Sequence, residues 1–109
     1  MKRTIIFDNT SSHFNPNDMT FNKTVVSYQL AYCNQVLKSK WLLLVNDINE
    51  ALGLPRTVEG MTEGWVFPPA TNAEFELRTI KKEDGSEAIE ISFNTMGDIR
   101  KKLRRKETR

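Results

Sequence analysis

The sequence predicts an α+β protein. It should have a small antiparallel sheet of three to four strands containing one hairpin, a long helix packed on a face of that sheet, a short second helix and a basic C-terminal helix. Three observations lead there. An apolar seam recurs at Val26, Leu30, Cys33 and Leu37, at the spacing of one helix face. Apolar and polar residues alternate on both sides of a Gly-containing turn between Phe75 and Phe93. Two short apolar runs, Trp41–Val45 and Trp65–Phe67, are bounded by residues that break helices and so fit short strands.

The elements follow in chain order. A strand is expected at about Thr4–Phe7, then a loop over residues 8–18, where Asn, Ser, Asp and Pro compete with regular ladders. The long helix begins near Met19–Phe21 with Asp18 or Thr20 as its N-cap and runs to about Lys38. Tyr28, Ala31 and Tyr32 broaden its apolar surface, which predicts a well-buried helix. Trp41–Leu44 forms a buried strand, and Asn46 caps a short helix over residues 47–52, with Asp47 and Glu50 near the positive end of its dipole. Gly53 supplies a left-handed residue after that helix and Pro55 prevents its resumption.

Residues 56–64 read as a loop leading into the strand Trp65–Phe67, which Pro68 and Pro69 end. The hairpin Phe75–Lys82/Glu87–Phe93 takes a three-residue loop, Glu83–Asp84–Gly85. That register pairs Phe75 with Phe93, Leu77 with Ile91 and Thr79 with Ile89, and sets Arg78 across from Glu90. A two-residue turn would set Ile91 against Arg78 instead. Trp41–Leu44 and Trp65–Phe67 are the expected sheet partners of this hairpin. Thr95 and Asp98 resemble a capping box, and Met96, Ile99 and Leu103 make a narrow stripe that docks the start of a last helix.

The whole chain, 1–109, is read as a single domain: N-terminal strand and loop (1–18), core (19–99) and basic tail (100–109). The longest apolar run has five residues, so neither a membrane span nor a signal peptide is expected, and no membrane partner. Cys33, the single cysteine, forbids an internal disulfide or a Cys-based zinc site, which suggests a cytoplasmic location.

No catalytic constellation is legible. His13 is the only histidine and sits in a loop; Cys33 faces the core, where a thiol is inert. Asp47/Glu50 and Glu59/Glu63 are the candidate carboxylate pairs, and both have a simpler explanation in capping and solvation. Neither GxGxxG nor GxxxxGK[ST] occurs. Trp41 and Trp65 are read as core residues, since the acids Glu59 and Glu63 near Trp65 have the wrong sign for a nucleic-acid platform. The chain is therefore read as non-enzymatic, with no cofactor and no metal.

Charge is where the sequence is most uneven. Sixteen Lys+Arg against fourteen Asp+Glu leave +2, yet residues 100–109 hold seven bases and one acid, a charge of +6. The first 99 residues, with nine bases and thirteen acids, then carry −4. In a helix, Arg100/Arg104, Lys101/Arg105 and Lys102/Lys106 are like-charge neighbours costing roughly 0.2–0.5 kcal/mol each. An anionic partner relieves that repulsion. The candidate site is therefore Arg100, Lys101, Lys102, Arg104, Arg105, Lys106 and Arg109, with DNA or RNA as the partner. The competing readings are a solvated terminus that aids solubility and a contact with an acidic protein or a membrane surface. A protein-binding role for the acidic body, with a host or virion protein as partner, is the alternative function, and an open sheet edge permits a homodimer.

The segment LLLVNDINEALGLPRTVEGMTEGW resembles small uncharacterised phage and prophage proteins of Gram-positive bacteria, in which a hydrophobic strand and a short Asp-containing helix lead to Leu-Gly-Leu-Pro and then to Gly-Trp. The later ISFNTMGDI is similar to their Phe-Asn segment. The matching residues are Asp47, Leu52, Gly53, Leu54, Pro55, Gly60, Gly64, Trp65, Phe93, Asn94 and Gly97, within about residues 25–99. The resemblance implies an origin and a bacterial host cytoplasm, but no mechanism. The long basic end departs from that pattern.

Overall fold

A computed structural model describes residues 1–100 and 102. Its elements are β1 (Lys2–Phe7), α1 (Met19–Lys40), β2 (Leu42–Leu44), α2 (Val45–Ala51), a 3-10 turn at Glu59–Met61, β3 (Gly64–Val66), β4 (Phe75–Lys81) and β5 (Glu87–Asn94). The fold is mixed α+β.

The hairpin has the expected register, with Phe75 opposite Phe93, Leu77 opposite Ile91, Arg78 opposite Glu90 and Thr79 opposite Ile89. Gly85 takes φ +87°, and the loop closes through Lys82 N–H to Ser86 O at 2.8 Å. Its partner differs from the expectation. β1, not the two short apolar runs, completes an antiparallel sheet of order β1-β5-β4, with Ile5 opposite Ile91 and Phe7 opposite Ile89. β2 and β3 pair only with each other, as a separate two-stranded ribbon. The reason is length: β1 pairs six residues with β5, whereas β2 and β3 offer three each.

The ribbon is held closely. A Cβ on Gly64 would lie 1.9 Å from Leu43 O, so only glycine allows β3 to approach β2 there. The other edge of β3 is taken by the chain leaving β5: Met96 N–H donates to Gly64 O at 2.9 Å and Ile99 N–H to Thr62 O at 3.0 Å. This corrects the expected capping box. Thr95 Oγ1 accepts from Gly97 N–H at 3.1 Å, and the Asp98 carboxylate accepts from Arg100 N–H at 3.0 Å. Extended pairing with Thr62–Gly64 claims residues that a helix would have needed. Ile99 is buried as expected, while Leu103 and most of the predicted basic helix lie outside the described residues.

In α1, Asp18 is the N-cap, accepting from Phe21 N–H at 2.9 Å. Val26, Leu30, Cys33 and Leu37 are buried in one core with Ile5, Phe7, Ile89, Ile91 and Phe93. Tyr28, Ala31 and Tyr32, expected to widen that contact, are exposed. They lie roughly 130–170° around the helix from the seam, beyond what a sheet on one side can cover. Trp41 is also a correction: it is 63% exposed, because α1 runs on to Lys40 and Trp41 takes the left-handed conformation (φ 64°) that turns the chain into β2. Trp65 is buried as expected. Its ring meets Phe75 and Phe93 at 6.0 and 5.6 Å, and its indole N–H donates to Asn94 O at 3.1 Å.

α2 ends as expected. Gly53 has φ +68°, and Gly53 and Leu54 N–H return to Glu50 and Asn49 carbonyls at 3.1 and 2.8 Å. Its start is corrected: the helix begins two residues early, at Val45, and the Asp47 carboxylate accepts from Leu44 N–H at 2.8 Å. Asn46 is inside the helix with its side chain buried. It receives Thr57 N–H and donates to Thr57 O, both at 2.9 Å, and so ties the following loop to α2.

Candidate nucleic-acid interface at the basic end

The alternation of β1 puts Arg3 on the same face as Ile5 and Phe7. A charge on an inward position needs a partner, and Glu63, just before β3, supplies one that is itself buried. Arg3 Nε donates to Glu63 Oε1 at 2.8 Å, and a second guanidinium nitrogen reaches Oε2. Arg3 thereby holds the Glu63 carboxyl below the usual carboxylate range, burial opposing this more weakly. Thr95 links this pair to the start of the C-terminal segment: Thr95 N–H donates to Met1 O and the Met1 amine to Thr95 O, each at 2.8 Å. The base of the basic end is thus clamped between β1 and β3.

Of the seven predicted site residues, Arg100 and Lys102 are described; Lys101, Arg104, Arg105, Lys106 and Arg109 lie outside the described residues. Arg100 is paired with Asp98, its Nε 3.0 Å from Oδ1, which raises the guanidinium pKa. Lys102 N–H donates to Ile99 O at 3.0 Å. Ile99, 2% exposed, is the last buried side chain among the described residues, so the charged run starts where the core ends.

The other candidates do not converge on a reaction. Asp47 caps α2 and Glu50 pairs with Arg56. Glu63, expected to be solvated, is the buried member of an ion pair; a carboxyl held in its charged form is no proton donor near neutrality. A cleft of about 160 Å³ beside it is lined by Arg3, Asn49, Thr57 and Glu59. Several of its polar groups are already engaged: Arg3 with Glu63, Asn49 with Asn46 at 3.1 Å, and the Thr57 hydroxyl with Gly60 N–H at 3.0 Å. Burial pushes the Cys33 thiol up to about 11, so it stays protonated at neutral pH. His13 is exposed in its loop. Among the described residues, no group of three His, Cys, Asp or Glu could hold a metal ion, and no helix is long and apolar enough to cross a membrane.

Sequence reasoning missed the Arg3–Glu63 clamp because its members are 60 positions apart. The available signal was parity, an arginine in register with Ile5 and Phe7.

No curated protein and no solved structure matches the chain. A family profile, described only as a family of unknown function, matches residues 1–103, leaving Arg104, Arg105, Lys106 and Arg109 beyond it. The chain belongs to that family, the Family of unknown function (DUF6353).

Proposed function

We propose that this chain is a non-enzymatic accessory protein of a phage or mobile element that contacts nucleic acid through Arg100, Lys101, Lys102, Arg104, Arg105, Lys106 and Arg109. The observation that carries the reading is the segregation of charge at the edge of the core. The buried side chains run up to Ile99, and the next ten residues hold +6 against −4 for the rest. A phosphate backbone neutralises that repulsion and releases counterions, which is favourable without any base-specific contact. The phage origin rests on the Leu52-Gly53-Leu54-Pro55 and Gly64-Trp65 signature.

Filter binding of DNA and RNA at two salt concentrations tests the proposal, comparing the full chain with one ending at Ile99. The full chain binds, more weakly at the higher salt, and the shortened chain loses the binding. Equal affinity of the two chains would sink it.

A further inference from the structure

We infer that the chain forms a two-fold symmetric dimer by pairing β4 with β4 of a second copy, antiparallel and with Leu77 opposite Leu77, so that two three-stranded sheets become one. β4 is an edge strand. It contains no proline, and its register with β5 is unbroken from Phe75 to Lys81. Such an edge is a template for another strand unless something blunts or covers it. The hairpin loop fixes which groups the edge presents. Lys82 N–H donates to Ser86 O at 2.8 Å, so the even-numbered residues exchange main-chain bonds with β5, and Phe75, Leu77 and Thr79 turn theirs outward. Among the described residues, nothing bonds to those outward groups. The opposite edge of the sheet is not equivalent. Beside β1 lies the cleft lined by Thr4, Asn49 and Glu59, with α2 and the 3-10 turn across it.

The side chains of the edge select a second copy and set the register. Phe75, Leu77 and Thr79 share a face with Phe93, Ile91 and Ile89, which are buried in the core. The core stops at β5: Leu77 is 43% exposed, and Thr79 is exposed. Glu76 and Arg78 lie on the other face, both exposed. Arg78 bonds Glu90 at 2.8 Å, while Glu76 has no ion-pair partner among the described residues. Outward bonding at odd positions restricts antiparallel self-pairing to registers that oppose odd residues to odd ones. Centring on Leu77 sets Leu77 against Leu77, Phe75 against Thr79 and each Glu76 against an Arg78. Centring on Arg78 opposes the two arginines and sets Phe75 against Lys81. Centring on Glu76 opposes the two acids, and centring on Thr79 sets Leu77 against Lys81. Of these, the Leu77 register alone joins acid to base, twice, while matching Leu with Leu and an aromatic with a β-branched residue. The ladder ends at Phe75, because Ala73 N–H and C=O are held by the Asn34 side chain at 2.7 and 3.0 Å. The two-fold axis closes the assembly at two copies.

Sedimentation velocity of the full chain across a concentration series should show monomer passing to dimer. Glu76→Arg and Arg78→Glu should each weaken the dimer at least tenfold, since each sets like charges opposite one another. Glu76→Arg breaks no ion pair within the chain. An equimolar mixture of the two variants should recover a heterodimer, because every acid then meets a base again. Leu77→Cys tests the register: the two thiols lie across a pair with Cα atoms about 5.5 Å apart and should form an intermolecular disulfide on mild oxidation. Arg78→Cys should not, and Cys33 is buried and does not compete. All three positions are exposed, so unchanged melting temperatures certify the variants. A chain that stays monomeric at every concentration overturns the inference and leaves the edge to a strand of another protein. So does a dimer that both charge variants leave intact, a mixture that fails to restore it, or crosslinking at Arg78 in place of Leu77. The chain ending at Ile99 should dimerise as the full chain does, and a dimer lost with the basic end would also overturn the inference. Dimerisation is thereby tested apart from nucleic-acid binding.

Discussion

Asn46 gives the sharpest stability prediction. Its side chain, 2% exposed, accepts from Thr57 N–H at 2.9 Å and from Asn49 Nδ2 at 3.1 Å, and donates to Thr57 O at 2.9 Å. Asn46→Ala removes three hydrogen bonds at once. At about 1 kcal/mol net for each bond, the loss is about 3 kcal/mol; water reaching the exposed Thr57 backbone limits it, and the stranded Asn49 amide adds to it. For a chain of this length, with about 0.23 kcal/mol/K of unfolding entropy, the melting temperature should fall by roughly 13 °C. Asn49→Ala, which breaks the single Asn46–Asn49 bond, should cost about 1 kcal/mol.

A double-mutant cycle makes the test stricter. A Cβ on Gly60 would sit 2.3 Å from Asn46 Oδ1 and 2.7 Å from Thr57 Oγ1. Gly60→Ala should therefore cost less in the Asn46→Ala background than in wild type, because the closer obstacle is gone. Urea melts followed by circular dichroism measure all four chains. An Asn46→Ala protein within 1 kcal/mol of wild type, or strict additivity with Gly60→Ala, would refute the view that this side chain ties the loop to α2.

Other perturbations probe the remaining parts. Gly64→Ala puts a Cβ 1.9 Å from a backbone oxygen that cannot swing away, so a loss of more than about 3 kcal/mol is expected; a normal melt would mean that the ribbon is not packed this way. Leu37→Ala should cost about 2–5 kcal/mol and Tyr28→Ala less than about 0.5, and similar costs would contradict a one-sided α1. Glu63 is held below the usual carboxylate range, so its stabilisation is complete above that range and disappears as pH falls through the depressed folded value. Glu63→Gln should flatten the acid limb of stability against pH; the wild-type slope in that variant would show that the Arg3 clamp contributes nothing.

What was legible in the sequence was local. The hairpin register followed from matching Leu77 to Ile91 and Arg78 to Glu90, and the end of α2 from the left-handed Gly53. The buried seam of α1 followed from period alone. The partnering of strands was not legible. Three residues of Leu42–Leu44 carry no period, and the length match that favours Lys2–Phe7 beside Glu87–Asn94 becomes decisive only once the strands are aligned. Asn46 read as a cap because Asn commonly caps helices, but its partner Thr57 is 11 residues away and unmarked. Tyr28 and Tyr32 read as core because hydrophobicity does not say which side of a helix has a sheet to face. For the candidate site, the basic run was plain in the sequence. The clamp that holds its base, Arg3 on Glu63 with Thr95 beside them, required the fold.

The central claim is that the cations after Ile99 bind phosphate while the body does not. A full salt titration of duplex DNA binding tests this most directly, with log K plotted against log salt for the full chain and for one ending at Ile99. At about −0.9 per neutralised phosphate, seven cationic side chains set a limiting slope of about −6, and engagement of most of them gives a slope steeper than about −4. The account predicts that steep line for the full chain and no measurable binding without the tail. Two parallel lines, or a flat one for the full chain, would contradict it.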